Sequence, residues 1–338
     1  MSWKILVTAR TLNMESVGRP AIDLLRGDGC ELIYPKKMGP LVASELLPVL
    51  NGIDAVLASM DHFTDAVLAS PAAANLKLIS RWGVGYDAID VAAATRQGVV
   101  VAYTPGLLND AVADYAMSLL CALARRVHEG HLTMREGKWA SQWGHDISHA
   151  TLGIIGCGRI GQAMARRAAG FSMRVLGFDS APSPEAERLG VKFVSLDTLL
   201  AESDFVTLHA ALTPQTRGLI GEAQLRKMKP SAYLVNTARG AIVDENVLVQ
   251  ALQENWIAGA ALDAFAVEPL PEEHPLRRAP NLLLTPHQAS FGYGTGARVS
   301  EAAARAIVDL KSGRKPQWVV NPDVFESPTY RCATRPTN

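Results

Sequence analysis

Residues 152–161 read Leu-Gly-Ile-Ile-Gly-Cys-Gly-Arg-Ile-Gly, an apolar strand that runs directly into a glycine-rich turn and the start of a helix. In such a turn Gly156 permits the tight bend, Gly158 lets a ligand approach the backbone, and Gly161 allows close helix–strand packing. The free N–H groups at the start of a helix attract anions. The stretch therefore predicts a βαβ unit that binds the pyrophosphate of a dinucleotide.

The residue that ends the next predicted strand is Asp179. A carboxylate at this point accepts hydrogen bonds from the ribose hydroxyls of adenosine and repels a 2′-phosphate. The following residues, Ser180-Ala181-Pro182, supply no arginine that would reverse this preference. The sequence therefore favours NAD over NADP as the cofactor.

Short apolar runs alternate with helical patterns on both sides of this unit, which predicts an α/β fold with parallel sheets and helices on their faces. A long apolar helix is predicted from Asp110 to His128, followed by an arm without periodicity over residues 137–150. The residues after Asn321 are predicted to be poorly ordered. The strands are predicted at residues 5–7, 31–33, 55–57, 78–80, 99–101, 152–155, 174–178, 205–208, 232–235, 259–262 and 282–284.

Bulk composition narrows the class of protein. A chain of 338 residues favours two domains. Its 33 basic and 33 acidic residues give a net charge of zero, so bulk electrostatics indicate neither a nucleic-acid nor a membrane partner. The four scattered cysteines show no metal-ligand spacing, so no metal site is predicted. The N-terminus lacks the features of a signal peptide, which favours a cytoplasmic location.

Three polar residues, Arg239, Glu268 and His287, each follow one of three successive predicted strands. Taken singly they have ordinary explanations, namely a surface arginine, a loop acid before proline and a packed loop histidine. Together they suit the reduction of a ketone, because a guanidinium can hold a keto acid and an imidazole can donate the proton that the alkoxide needs. A carboxylate on the second imidazole nitrogen would fix the tautomer and stabilise the protonated ring.

The chain resembles the NAD-dependent D-2-hydroxyacid dehydrogenases over residues 45–322. Further matching motifs are Arg81-Trp82-Gly83-Val84-Gly85-Tyr86-Asp87, Thr104-Pro105-Gly106, Leu212-Thr213-Pro214-Gln215-Thr216-Arg217-Gly218, Asn236-Thr237-Ala238-Arg239-Gly240 and Thr285-Pro286-His287. The resemblance implies that Arg239 anchors the substrate, His287 is the acid/base and Glu268 is its partner. It also implies that Arg159, Ile160, Ala210, Thr237 and Asp263 line the cofactor site, and that Arg81, Val84 and Gly85 bind the substrate.

The resemblance implies two Rossmann-like domains with a cleft between them. A cofactor domain at residues 104–291 would be inserted into a flavodoxin-like substrate domain, formed by residues 1–103 and 292–322, with a tail at 323–338. Members of the family are usually homodimers joined through the helix and arm at 110–150. The apolar Ala111–Ala124 segment fits such an interface, and it fits a simple domain core equally well.

The family resemblance leaves the substrate open. Many phosphoglycerate members carry an arginine where this chain has Ser59-Met60, so one basic contact for a phosphate is missing. We therefore expect a small unphosphorylated keto acid such as hydroxypyruvate or glyoxylate. The alternatives are a D-3-phosphoglycerate dehydrogenase, a NAD-sensing corepressor that binds without turnover, and a dehydrogenase acting on phosphite.

Overall fold

The structure is a computed structural model that describes residues 2–332. It divides the chain into two compact units: a split unit of residues 2–108 and 291–332, and an inserted unit of residues 109–290. The junctions predicted from the sequence lie at residues 103/104 and 291/292. None of the described helices is long and apolar enough to cross a membrane.

The strands and helices are numbered here in chain order. The strands are β1 (Lys4–Val7), β2 (Glu31–Ile33), β3 (Ala55–Ala58), β4 (Leu78–Arg81), β5 (Val100–Ala102), β6 (Thr151–Ile155), β7 (Arg174–Phe178), β8 (Val191–Phe193), β9 (Phe205–Leu208), β10 (Tyr233–Asn236), β11 (Gly259–Leu262) and β12 (Leu282–Leu284). The α-helices are α1 (Glu15–Gly27), α2 (Ala43–Leu46), α3 (Asp65–Leu68), α4 (Val91–Arg96), α5 (Asn109–Ala124), α6 (Val127–Arg135), α7 (Arg159–Gly170), α8 (Pro184–Arg188), α9 (Leu196–Glu202), α10 (Glu222–Leu225), α11 (Glu245–Gln253) and α12 (Tyr293–Lys311). Short 3-10 helices cover Arg10–Asn13, Leu47–Val49, Pro71–Ala73, Gly240–Ile242, Pro275–Arg278 and Pro322–Glu326.

The split unit is built on a parallel sheet of five strands in the order β2-β1-β3-β4-β5, the flavodoxin-like order. The last long helix, α12, returns to this sheet. The Ser80 hydroxyl on β4 donates to the Ala303 carbonyl at 2.7 Å, and the Trp82 indole donates to Ser300 at 2.8 Å. Gly296 lies so close to Val17 of α1 that a Cβ there would approach a Val17 methyl to 2.8 Å.

The inserted unit is built on a parallel sheet of seven strands in the order β12-β11-β10-β9-β6-β7-β8. Read from β8, this is the Rossmann order with one additional strand at the far edge. Two apolar clusters pack against the sheet: α5 and α7 contribute to one, and α9 and α11 to the other. The predicted α/β fold with parallel sheets is confirmed, and its parallel strands bring the residues that follow them to one edge of each sheet.

The structure differs from the sequence predictions at three places. The helix predicted over residues 110–128 is two helices, because Arg126 adopts a left-handed backbone (φ 51°) that ends α5 before α6 begins. Strand β8 was not predicted, because Lys192 separates its two apolar residues, so that Val191-Lys192-Phe193 shows no apolar run. The expected disorder after Asn321 is wrong for the described residues: Pro322–Glu326 is helical and buries Phe325. Residues 333–338 of the predicted tail lie outside the described chain.

Candidate active site

The glycine turn lies between β6 and α7 and is shaped by close backbone contacts. Gly156 has a positive φ of 91°, and a Cβ there would lie 2.4 Å from the Ala210 amide nitrogen, so the turn passes tightly beside the end of β9. A Cβ on Gly161 would meet the Gly156 carbonyl oxygen at 2.2 Å. Around Gly158, by contrast, a Cβ would meet no atom within 4 Å. The open space beside Gly158 is where the motif requires a ligand to approach.

Asp179 closes this turn from the end of β7. Its carboxylate accepts from the Cys157 amide at 2.7 Å and from the Ala181 amide at 2.9 Å. Burial, with a smaller contribution from Asp179, raises the pKa of the Cys157 thiol to about 12. The thiol is therefore protonated at neutral pH, and the negative charge at this end of the turn is that of the carboxylate.

The same edge of the sheet fits a dinucleotide in two further respects. Arg159 and Ile160 form the first turn of α7, and the N-cap residue Gly158 offers no side chain to their N–H groups, which leaves them for an anion. Thr237, which follows β10, has a buried hydroxyl without a hydrogen-bond partner among the described residues. Buried polar groups are nearly always satisfied, so this hydroxyl suits a polar ligand atom.

We expect NADH to be preferred over NADPH by at least tenfold in kcat/KM, about 1.4 kcal/mol, because Asp179 repels a 2′-phosphate. Replacing Asp179 with Ser should reduce this ratio. The substitution also removes the acceptor for Cys157 and so weakens the turn for both cofactors, which makes the ratio, and not either rate alone, the quantity to measure. Equal kcat/KM for the two cofactors in the unmodified protein would contradict the assignment.

Arg239 lies just beyond β10 in a loop that is held by Asn236. The Asn236 amide donates to the Arg239 carbonyl at 2.9 Å, and its oxygen accepts from the Ala238 amide at 3.0 Å. One guanidinium nitrogen of Arg239 donates to the Ala238 carbonyl at 2.8 Å. The buried Asn236 side chain thus fixes the backbone from which the guanidinium extends at the carboxyl edge of the sheet.

Glu268 and His287 form a hydrogen bond, with 2.6 Å between the carboxylate Oε2 and the imidazole Nδ1. The second carboxylate oxygen accepts from the Phe265 amide at 2.9 Å. Burial opposes the ionisation of Glu268, but the hydrogen bond and charge of His287, the Phe265 amide and Arg239 together hold the pKa of this carboxyl below its ordinary value. The carboxylate is therefore ionised at neutral pH. It occupies Nδ1 of His287, and the other ring nitrogen, Nε2, makes no hydrogen bond within the described residues.

Asp263, at the end of β11, ties down the loop that carries His287. One carboxylate oxygen accepts from the Thr285 hydroxyl at 2.6 Å and from the Gln288 amide at 3.0 Å, and the other accepts from the Ala289 amide at 2.8 Å. Burial raises the pKa of Asp263, although these hydrogen bonds and the charge of His287 act against it. These contacts hold His287 in a left-handed backbone conformation, with φ of 52°, that few non-glycine residues adopt.

In the split unit, the turn at residues 83–85 follows β4. Gly83 has a φ of 125°, and its amide donates to the Thr104 hydroxyl at 3.0 Å. The next two amides, of Val84 and Gly85, have no acceptor within the described residues. Arg81 lies beneath the turn, where its Nε donates to the Gly85 carbonyl at 2.9 Å. Successive free N–H groups beside a cation suit a carboxylate.

Comparison with known proteins identifies the family. The profile described as "D-isomer specific 2-hydroxyacid dehydrogenase, NAD binding domain" matches residues 117–289. A glyoxylate reductase of Korarchaeum cryptofilum is 44% identical over 303 residues, which cover 88% of this chain and 91% of that protein. The chain belongs to the D-isomer-specific 2-hydroxyacid dehydrogenase family.

Two further comparisons agree with this assignment. A glyoxylate reductase of Thermofilum pendens is 40% identical over 318 residues, which cover 92% of this chain and 94% of that protein. The crystal structure of TT0316 protein from Thermus thermophilus superimposes with a TM-score of 0.84 at 40% identity and covers 94% of this chain and 99% of that chain. The chain is thus an NAD-dependent 2-hydroxyacid dehydrogenase of two Rossmann-like units, whose reaction interconverts a 2-keto acid and a D-2-hydroxy acid.

Several residues that shape the dehydrogenase site were not predicted from the sequence. Thr285 holds Asp263, and Gln288 reaches α5, where its amide nitrogen donates to the Tyr115 hydroxyl at 2.6 Å. Gln288 adjoins His287 in the chain, which was the one signal that could have drawn attention to it. Tyr115 is 173 positions away from Gln288, so no spacing in the sequence reveals the pair. Among the described residues, no cluster of side chains is suited to hold a metal ion.

Proposed function

We propose that this dehydrogenase reduces a small, unphosphorylated 2-keto acid of the glyoxylate or hydroxypyruvate type, with Arg239, Glu268 and His287 as its catalytic residues. The observation that carries the proposal is the 2.6 Å hydrogen bond between Glu268 and His287, at the same sheet edge as Arg239 and the glycine turn. The glyoxylate reductases that are 40–44% identical to the chain support the substrate class.

The roles of the three residues follow from their chemistry. NADH, when bound, supplies the hydride that adds to the keto carbon. Arg239 holds the carboxylate and the carbonyl oxygen of the keto acid through two hydrogen bonds, which orients the carbonyl. His287 donates the proton from Nε2 to the carbonyl oxygen as negative charge develops there. Glu268, which stays ionised, stabilises the protonated imidazole before that transfer.

The proposal gives each unit one task. The inserted unit binds the cofactor through the turn residues Gly156, Gly158, Arg159, Ile160 and Gly161 and through Asp179 at the ribose. Ala210 and Thr237 also line the cofactor site, and Asp263 lies near the nicotinamide. The split unit takes the substrate carboxylate on the amides of Val84 and Gly85. Asp263 is supported least as a direct cofactor ligand, because three hydrogen bonds to the His287 loop occupy its oxygens.

The surroundings of Arg81 favour a substrate without a phosphate. The Arg81 side chain is largely buried, and its donors face the Gly85 carbonyl and the Met60 sulfur, both at 2.9 Å. Asp61 is buried close enough for its carboxyl to interact with the Arg81 charge. A cation that is engaged in this way and has an acid nearby is a poor partner for a dianion.

The experiment that tests the substrate proposal is a panel of glyoxylate, hydroxypyruvate, pyruvate and 3-phosphohydroxypyruvate with NADH, and phosphite with NAD. We expect glyoxylate or hydroxypyruvate to give the highest kcat/KM. One missing charge-assisted hydrogen bond, worth roughly 1.5–3 kcal/mol, should place the phosphorylated substrate at least tenfold lower. If 3-phosphohydroxypyruvate has the highest kcat/KM, the inference from Ser59-Met60 is wrong, and turnover of phosphite alone would point to a different reaction.

We also propose that the enzyme is a homodimer joined through α5, α6 and the arm at residues 137–150. A cavity of about 660 Å³ is lined by residues of α5, by Val127 and by Arg167 and Phe171. Trp139 and Trp143 in the arm are 88% and 93% exposed. Exposed apolar patches with tryptophans are typical of protein interfaces.

Light scattering tests the dimer proposal. We expect a mass near twice 36.3 kDa, and a shift toward one chain when Trp139 and Trp143 are both replaced with Ser. Replacing the exposed Tyr293, which lies outside the arm, is the matched control. A single-chain mass for the unmodified protein at micromolar concentration would refute the dimer proposal.

We also propose a cytoplasmic location. The four cysteines are all unpaired, as is usual for proteins of a reducing compartment.

A further inference from the structure

Glu245, the first residue of α11, is a charged residue that is 9% exposed, and this burial requires an explanation. Its carboxylate does not cap the helix, because Asp244 already accepts from the Asn246 and Val247 amides. Instead, Oε1 of Glu245 accepts from the Ala266 amide at 2.7 Å. Its other oxygen lies 3.6 Å from Nε2 of His274. The side chain thus points away from its own helix, accepts a hydrogen bond from one other segment and lies beside a second.

Ala266 belongs to the turn that presents Glu268. The amide before it, of Phe265, donates to Glu268 at 2.9 Å, so two consecutive amides of one turn are bound by two carboxylates. Gly240 packs beneath the same turn, where a Cβ would lie 1.9 Å from the Phe265 carbonyl carbon. The turn that carries Glu268 is therefore held by the segment between Arg239 and α11.

His274 supports this arrangement through its tautomer. Its Nδ1 accepts from the Leu276 amide at 3.4 Å, which leaves the proton of the neutral ring on Nε2, facing Glu245. Asp263 and Arg239 are charged groups that interact with the Glu268–His287 pair. His274, which directly precedes the 3-10 helix Pro275–Arg278, lies beside Glu245.

We propose that Glu245 is a positioning residue, which holds the turn at residues 265–268 so that Glu268 meets His287 at hydrogen-bond distance. The inference rests on the proposed roles of Glu268 and His287. The 2.6 Å contact between those two groups is short, and a displacement of about 1 Å would remove most of its strength. Since catalysis is sensitive to displacements of about 1 Å, Glu245 should affect proton transfer without touching substrate or cofactor.

The test compares Glu245→Ala, Glu245→Asp and Glu245→Gln in the full-length enzyme, with Asp244→Ala as the control. The readouts are the pH profile of kcat for keto acid reduction, the Kd of NADH and the melting temperature. Asp244→Ala removes a helix cap and should lower the melting temperature without moving the pH profile. Glu245→Gln keeps an acceptor for the Ala266 amide and should retain most of the activity.

Glu245→Ala should lower kcat by about tenfold to a hundredfold. It should also move the limb of the profile that reports loss of the imidazole proton to lower pH by about half a unit or more, because the carboxylate that stabilises this proton is displaced. Glu245→Asp keeps the charge but shortens the reach to Ala266, so it should move the limb in the same direction even if the alanine variant does not fold. The Kd of NADH should not change.

The proposal is overturned if the pH limb is unmoved in both Glu245→Asp and Glu245→Ala, whatever the stability of the two variants. If Glu245→Ala does not fold, an unmoved limb in Glu245→Asp is enough to overturn it. Glu268→Gln and His287→Asn, measured alongside, separate this outcome from failure of the proposed function. If those two variants lose activity and the Glu245 variants do not, only the positioning role is wrong. If all of them retain activity, the catalytic assignment is wrong as well.

Discussion

Replacement of His287 with Asn is expected to lower kcat for keto acid reduction by at least about a hundredfold, because the alkoxide oxygen loses its proton donor. The Kd of NADH should remain close to that of the unmodified enzyme, since the glycine turn and Asp179 lie on other strands of the sheet. The measurement is steady-state kinetics with saturating keto acid, together with a fluorescence titration of NADH. Retention of kcat within about threefold would show that His287 is a structural residue.

Glu268→Gln is the matched control for the His287 variant, because it keeps the shape of the pair and removes only the charge. The pKa of Glu268 lies below its ordinary value, so the carboxylate remains ionised as the pH rises through the neutral range. Loss of that charge makes the protonated imidazole less stable. The falling limb of the pH profile for reduction reports loss of the imidazole proton, and it should therefore move to lower pH in Glu268→Gln. In His287→Asn both the activity and this limb of the profile should be lost.

Replacement of Arg239 with Ala is expected to lower kcat/KM for every 2-keto acid by roughly a hundredfold or more. Two charge-assisted hydrogen bonds to the substrate, each worth roughly 1.5–3 kcal/mol, would be lost, and each 1.4 kcal/mol corresponds to about tenfold. The kcat/KM of Arg239→Lys should lie between those of the unmodified enzyme and Arg239→Ala, because an ammonium group cannot make the paired contact of a planar guanidinium.

The pattern across substrates decides what Arg239 binds. The 2-keto carboxylate is common to all substrates, so the loss should be similar for glyoxylate, pyruvate and hydroxypyruvate. A loss confined to the phosphorylated keto acid would mean that Arg239 contacts the distal group instead. Asn236→Ala provides an independent check, because it removes the hydrogen bonds that fix the Arg239 backbone and should reduce kcat/KM for all substrates to a smaller extent.

Much of the fold and of the site was predictable from local pattern. The strands of the two sheets are short and almost fully buried, so they appear in the sequence as apolar runs between turns, as in Val56 and Ile154. The candidate catalytic residues were found because parallel strands bring the residues that follow them to one edge, whatever their separation in sequence. The left-handed Arg126 and strand β8 were not predicted, since a single left-handed residue leaves no periodic signal and Lys192 separates the two apolar residues of β8.

The supports of the site were not predictable in the same way. Asp263 was predicted to line the cofactor site. That its oxygens bind the loop at residues 285–289 was not predictable, because nothing in the sequence gives the direction of a side chain at the end of a strand. Glu245 follows a capping aspartate and reads as an ordinary acidic residue at a helix start. Its contact with Ala266 depends on how two loops pack, which is a tertiary property.

The return of α12 to the split unit has a consequence for the order of folding during synthesis. The inserted unit is continuous from residue 109 to residue 290, so it can fold as soon as it has left the ribosome. The split unit must wait for α12, since that helix packs against Ser80, Trp82 and Val17. At roughly 5–20 residues per second, the surface of the split unit that α12 covers stays exposed for about 10 to 40 s, an interval in which exposed apolar surface makes a nascent chain prone to aggregation.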